Sequence, residues 1–347
     1  MSKQAILEKA HTLELIQDMS VAGDVFDEDM LEGMTFQNVD FSRALLKQAS
    51  FKDCIFSKCR FVGLVAEGAN FSGTRFIDCD LADASFDRCN FHQAGILTTD
   101  LSRVVFRDCE CEKLDITDSK AVQACFRGQR LYDVNFLDVV LDGADFSGAD
   151  LSKALLYELD LRTVVLQDAV LQDVAFSGCD VSGQDFAGQN LAGAQFNEAR
   201  LHEVNFSRCA LAMSNFSDSK VERSAFLEAD VRESLFVNAD IQQSSFAGAC
   251  LDRTLWNGAV VVGSDFGSAS MNMAGFQQAN VEGSRFVGAD LQYADFSYAR
   301  LEHCSFADAS MNETKFHRAL CDADLKRRAG AVERDAELFE AELWSAR

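Results

Sequence analysis

From Phe36 to Phe316 every fifth residue belongs to one apolar series. It runs through 57 positions without an inserted or deleted residue, and only Ala66, Cys111 and Ala121 among them lack a large or medium apolar side chain. Of the 29 phenylalanines, all but Phe339 sit on this register once Phe26 is included. A repeat this strict constrains the fold before any other property does.

A period of five fits neither the 3.6 of an α-helix nor the 2 of a β-strand. It suits a chain that turns a corner every five residues, so that four sides close a square coil of 20 residues. Each coil can then hydrogen-bond to its neighbours at the strand spacing of about 4.8 Å. The register residue points inward and so does the residue two before it, which must be small. The leading residue (one before), the trailing residue (one after) and the corner residue (two after) face solvent.

Three features agree with this. Within the register, 15 of the 21 glycines fall at the corner, among them Gly63, Gly143 and Gly183, as a tight turn favours. The chain has no proline, as expected where most backbone N–H groups are paired across coils. From Phe126 on, Phe and aliphatic residues largely alternate along the register, apart from five successive leucines from Leu151 to Leu171. Four sides per coil therefore put rings on two opposite sides, stacked in columns.

The segments Ala144-Asp145-Phe146, Ala149-Asp150-Leu151 and Ala289-Asp290-Leu291 resemble the A-[DN]-[LF]-x-x signature of the pentapeptide-repeat family. The resemblance covers about four fifths of the chain. It implies an all-β solenoid, a right-handed quadrilateral parallel β-helix. About 14 coils are expected, giving a rod of roughly 65 to 70 Å at the strand spacing.

Solenoid ends need capping because the terminal coil exposes the stacked core. Residues 1–30 are read as an N-terminal cap, with Ser2 as N-cap and Ile6, Ala10 and Leu13 on one face of a short helix. Ile16, Val21, Phe26 and Leu31 already keep the five-residue beat, so an irregular first coil begins ahead of Phe36. Residues 31–320 form the β-helix, whose unbroken register predicts one body. In residues 321–347 the beat gives way to Leu325, Ala329, Val332, Ala336, Phe339 and Leu343, spaced 4, 3, 4, 3, 4. That seam predicts a C-terminal α-helix, which either caps the last coil or pairs with a second copy. By resemblance to gyrase-protecting relatives, it would make a homodimer.

No apolar run approaches the ~18 residues of a membrane span, and the N-terminus lacks a secretory h-region. A cytoplasmic protein is expected, with export by a signal-less system left open. The net charge of -23 argues against direct nucleic-acid binding, which needs basic surface; it fits either solubility or imitation of a polyanion. Eight of the 12 cysteines (Cys54, Cys59, Cys79, Cys89, Cys109, Cys179, Cys209 and Cys304) occupy the small inward position. They read as small buried apolar groups in a reducing compartment rather than as a disulfide or metal framework.

A core filled by its own side chains leaves no pocket for catalysis, and no catalytic, cofactor or metal site is predicted. The recurrent leading aspartates, including Asp145, Asp150, Asp180 and Asp185, belong to the repeat. His92, His202 and His317 fall at trailing positions and are expected on the surface without partners. Function then rests on the outside, most simply as a non-enzymatic scaffold that binds another protein. One trailing column, Ile77, Leu97, Thr117, Leu137 and Tyr157, would stack on successive coils with Leu155 beside Tyr157. Such an exposed apolar stripe marks a contact surface. By resemblance, long uninterrupted rods accompany bacterial secretion systems, type VI clusters and injected effectors included. The alternative, also by resemblance, is a DNA mimic that binds gyrase and protects it from quinolones or toxins. Side-chain charges on the four sides come to about -4, -3, -3 and -5, an even spread that weakens the mimic.

Overall fold

The structure, a computed structural model, describes residues 3–10, 15–328 and 330–345. Ser2, Leu13 and Ala329, and the side chain of Ala10, lie outside it. Backbone packing divides the chain into two compact units, Met1–Ala175 and Phe176–Arg347. The five-residue register runs unbroken across residue 175.

Both units are right-handed quadrilateral parallel β-helices. Every strand pair is parallel, and all but the pair between Thr314–Lys315 and Ala331–Val332 are shifted by 20 residues, as in Phe36↔Phe56, Phe56↔Phe76, Leu201↔Val221 and Val221↔Ile241. The coil count is about 16 rather than 14. Winding begins at Ile16, where Ile16–Ser20 pairs with Thr35–Asp40, and at the other end Ala331–Val332 adds to Thr314–Lys315. Residues 16–31 thus belong to the winding.

The first unit extends its strands on two opposite sides. One sheet runs from Ile16–Ser20 to Leu155–Tyr157 and the other from Val25–Asp27 to Val105–Arg107. The second unit extends them on one side, from Arg200–His202 to Arg300–Glu302, and single bridges such as Asn205↔Ala225 hold other sides.

The register residues are buried throughout. In the second unit one column runs from Phe176 to Phe316 with Trp256 in fifth place, at ring spacings of 4.1 to 5.5 Å and tilts of 3° to 17°. A second column runs from Phe186 to Phe306. The two meet edge to face, as at Phe286 and Phe296, the arrangement that the ring quadrupole favours.

The small inward position carries polar groups where they find backbone partners. Ser224, Ser244, Ser264 and Ser284 are buried, and each hydroxyl accepts the N–H of the corresponding residue one coil earlier, at 3.0 to 3.2 Å. The leading aspartates and asparagines also have a task. Asp150 accepts the Ser152 N–H at 3.0 Å and Asn205 accepts the Ser207 N–H at 3.1 Å. Each ties a trailing N–H at the turn and keeps a buried polar group from going unpaired.

Corners are left-handed whether or not they hold glycine. Gly183 has φ +77° and Gly143 φ +66°, but Arg43 (57°), Met213 (60°) and Tyr293 (59°) take the same conformation. Coil closure dictates it, and the residue only sets the cost.

Helix α1 (Lys3–Ala10) covers the first coil. Ile6 is fully buried, and the Lys3 ammonium donates to the Val25 carbonyl at 2.8 Å and pairs with Asp29 at 2.5 Å. The single C-terminal helix expected over residues 321–347 is not formed. Instead α2 (Ala323–Lys326), the added strand Ala331–Val332 and α3 (Ala336–Ser345) follow one another. Gly330 breaks the helix: it has φ +84°, and a Cβ there would lie 2.9 Å from both the Asn312 Cα and the Met311 carbonyl oxygen.

Candidate functional site: an apolar stripe on the first unit

In-register pairing places the predicted stripe on one sheet. Ile77 pairs with Leu97, Leu97 with Thr117, Thr117 with Leu137 and Leu137 with Tyr157. Leu155 leads the same strand as Tyr157 and pairs with Asn135. Leu97 is 39% and Tyr157 44% exposed, while Ile77, Leu137 and Leu155 are half-buried. The strand geometry causes this, because trailing side chains stand opposite the buried register residue.

Gly95, two residues before Leu97, makes way for the Arg75 side chain. An added Cβ would lie 2.9 Å from the Arg75 guanidinium, which reaches over the glycine and donates to the Gln93 carbonyl at 3.2 Å. Arg75, Ile77, Leu97, Asp115 and Thr117 line a shallow depression here.

A second exposed column lies on the other sheet of this unit. Val25, Leu45 and Val65 pair in register at leading positions and are 44%, 39% and 48% exposed. Its signal in the sequence is the run of apolar leading residues at intervals of 20.

The C-terminal seam is dispersed. Leu325 on α2 is buried, Val332 lies in the added strand, and Ala336, Phe339 and Leu343 ride on α3, where Leu343 and Trp344 are exposed. Polar contacts hold α3 to the coil. Glu342 pairs with Arg318 at 2.5 Å and His317 at 3.2 Å and accepts the Tyr298 hydroxyl, while Lys315 pairs with Asp335 at 2.7 Å. His317 is therefore buried and partnered, contrary to its predicted surface position, because α3 folds over it; its Nδ1 accepts the Asp335 N–H at 3.2 Å. His202 also has partners, with Glu222 at 3.3 Å and the Arg223 guanidinium at 2.8 Å.

None of the 12 cysteines is in a disulfide, and those at the small inward position are buried except Cys304, which is partly so. Burial pushes the Cys54 thiol up to about 12 and Cys209 up to about 11. Cys79 and Cys89 are raised by contact with the stacked thiols of Cys59 and Cys109 and by burial. Thiols held protonated in this way are poor nucleophiles. Among the described residues no group of three or more His, Cys, Asp or Glu side chains could hold a metal ion, and no helix is long and apolar enough to cross a membrane.

Comparison with known proteins adds the following. The family model described as "Pentapeptide repeat region" matches residues 31–116 and 129–206, and that described as "Pentapeptide repeats (8 copies)" matches residues 284–326. Among solved structures, the chain is similar to QnrB1, a plasmid-mediated fluoroquinolone resistance protein. That match is 19% identical, covers 70% of this chain and 91% of the other, and has a TM-score of 0.29. It is also similar to HetL, a pentapeptide repeat protein involved in heterocyst differentiation regulation from the cyanobacterium Nostoc sp. strain PCC 7120. There the identity is 22%, with 78% and 97% of the chains covered and a TM-score of 0.20. No curated protein matches the chain.

Proposed function

From the premise that the chain belongs to the pentapeptide-repeat family, we propose that it is a non-enzymatic scaffold that binds another protein through the stripe of Ile77, Leu97, Leu137, Leu155 and Tyr157. The observation that carries this is the in-register exposure of apolar side chains across successive coils. A core closed by its own rings supports a surface function, since ligand sites need concavity. Buried cysteines without disulfides support a reducing, cytoplasmic setting. Self-association through the exposed Leu343 and Trp344 of α3 is a separate contact in this proposal, readable by sedimentation.

Substitution of Leu97 and Tyr157 by Asp tests the stripe. The variant should keep its thermal transition and lose the partner recovered with the parent protein; a partner retained in full rejects the stripe. The alternative, imitation of duplex DNA, is separated by a gyrase supercoiling assay. Inhibition by the parent protein that survives both Asp substitutions would favour the mimic over the scaffold.

A further inference from the structure

The corner beside the stripe carries charge of one sign. On successive coils it reads Asp78, Thr98, Asp118, Asp138 and Glu158, without a Lys or Arg between them. The Asp78 N–H donates to the Leu97 carbonyl at 3.0 Å, and the Asp118 N–H to the Leu137 carbonyl at 3.0 Å, so the corner stacks in step with the stripe. All four carboxylate residues are exposed, and no ion pair ties any of them to a Lys or Arg among the described residues. Like charges stacked at roughly 4.8 Å repel one another, and a cationic partner would relieve that repulsion.

The dimensions select the partner. Four coil steps separate Ile77 from Tyr157, about 19 Å at the strand spacing. An α-helix lying along the coil axis advances about 5.4 Å per turn, so each turn sets an apolar side chain near one rung. About 13 residues cover the stripe. The shallow depression among Arg75, Ile77, Leu97, Asp115 and Thr117 lies at the middle of this span.

We propose that the stripe and its acidic corner form a track for a basic amphipathic α-helix of a partner protein, with the apolar face on Ile77, Leu97, Leu137 and Tyr157 and Lys or Arg along Asp78, Asp118, Asp138 and Glu158. This rests on the stripe being a contact surface and adds the chemistry of what it contacts. Apolar contact supplies the affinity, and the carboxylates set the orientation and select against acidic helices.

The probe is a synthetic 15-residue helical peptide with Leu at alternating three- and four-residue spacing and Lys along one flank, compared with the same peptide carrying Glu. The full chain should prefer the Lys peptide by about tenfold or more, with the preference falling as salt is raised. Changing Asp78→Asn, Asp118→Asn, Asp138→Asn and Glu158→Gln together should collapse the preference. A control that neutralises four exposed carboxylates of the second unit (Glu198→Gln, Asp218→Asn, Glu282→Gln and Asp308→Asn) should keep it. An equal loss in both variants, or no binding of the Lys peptide, overturns the proposal. If Leu97→Asp with Tyr157→Asp abolishes binding while the corner variant does not, the contact surface stands and the basic partner falls. If those two Asp substitutions leave binding intact, the contact surface itself fails.

Discussion

Gly183 sits at a corner with φ +77°, and a Cβ built on it meets no atom within 4 Å. Gly183→Ala therefore isolates the backbone cost of the left-handed conformation, and stability should fall by about 1 kcal/mol in a denaturant melt. The sequence showed the corner through its glycines, yet it could not show that Arg43 and Tyr293 adopt the same φ, since that follows from closing the coil. The serine ladder was legible only as a preference for small residues. Ser244→Ala would leave the buried Ser224 N–H without its acceptor at 3.1 Å, at a cost of about 1–3 kcal/mol. Ser244→Cys should cost less, as Cys304 occupies the same column. The leading aspartates looked like decoration of the repeat and prove to be turn caps, a role that depends on which N–H groups the coil leaves unpaired. Arg162 and Arg232 hold the Asp160 and Asp230 carboxyls below their usual range; for Asp145, burial opposes but Ser147 and Arg127 prevail. A carboxyl depressed on folding stabilises at pH above its unfolded value, near 3.8, and that contribution is lost as pH falls through the folded value. The thermal midpoint should hold from pH 7 to about 5 and drop below about 4; a midpoint unchanged down to pH 2 would contradict the assignment.

At the scale of elements, the apolar spacing from Leu325 to Leu343 satisfied a helical seam, although the chain uses it for a cap, a strand and a second helix. The deciding residue was Gly330, whose close approach to Asn312 is a tertiary fact and not a local one. Helix α3 depends on Glu342, which gathers Tyr298, His317 and Arg318. Glu342→Ala should raise amide exchange across residues 336–345 while exchange in the coils between Phe176 and Phe296 stays as it was. Uniform protection in the variant would show that apolar packing, not this polar cluster, seats the helix. Strand pairing was more legible, because a 20-residue shift follows from the four-sided coil alone. Which sides extend as strands was not.

For the molecule as a whole, the register specifies the solenoid, and its 20-residue spacing sets Leu97 and Tyr157 on one column. It equally contains the acidic corner, which the net charge of a whole side does not single out. On the side bearing the stripe, the leading and trailing charges cancel and the corner carries the net -4. The proposed function requires a partner protein to meet that surface. Placing a photo-crosslinking residue in turn at Leu97, on the stripe, and at Leu227, an exposed leucine of the second unit, in cells that produce the protein measures this most directly. The account predicts a discrete crosslinked partner from position 97 and none from 227. The same adduct from both positions, or one from 227 alone, would contradict it.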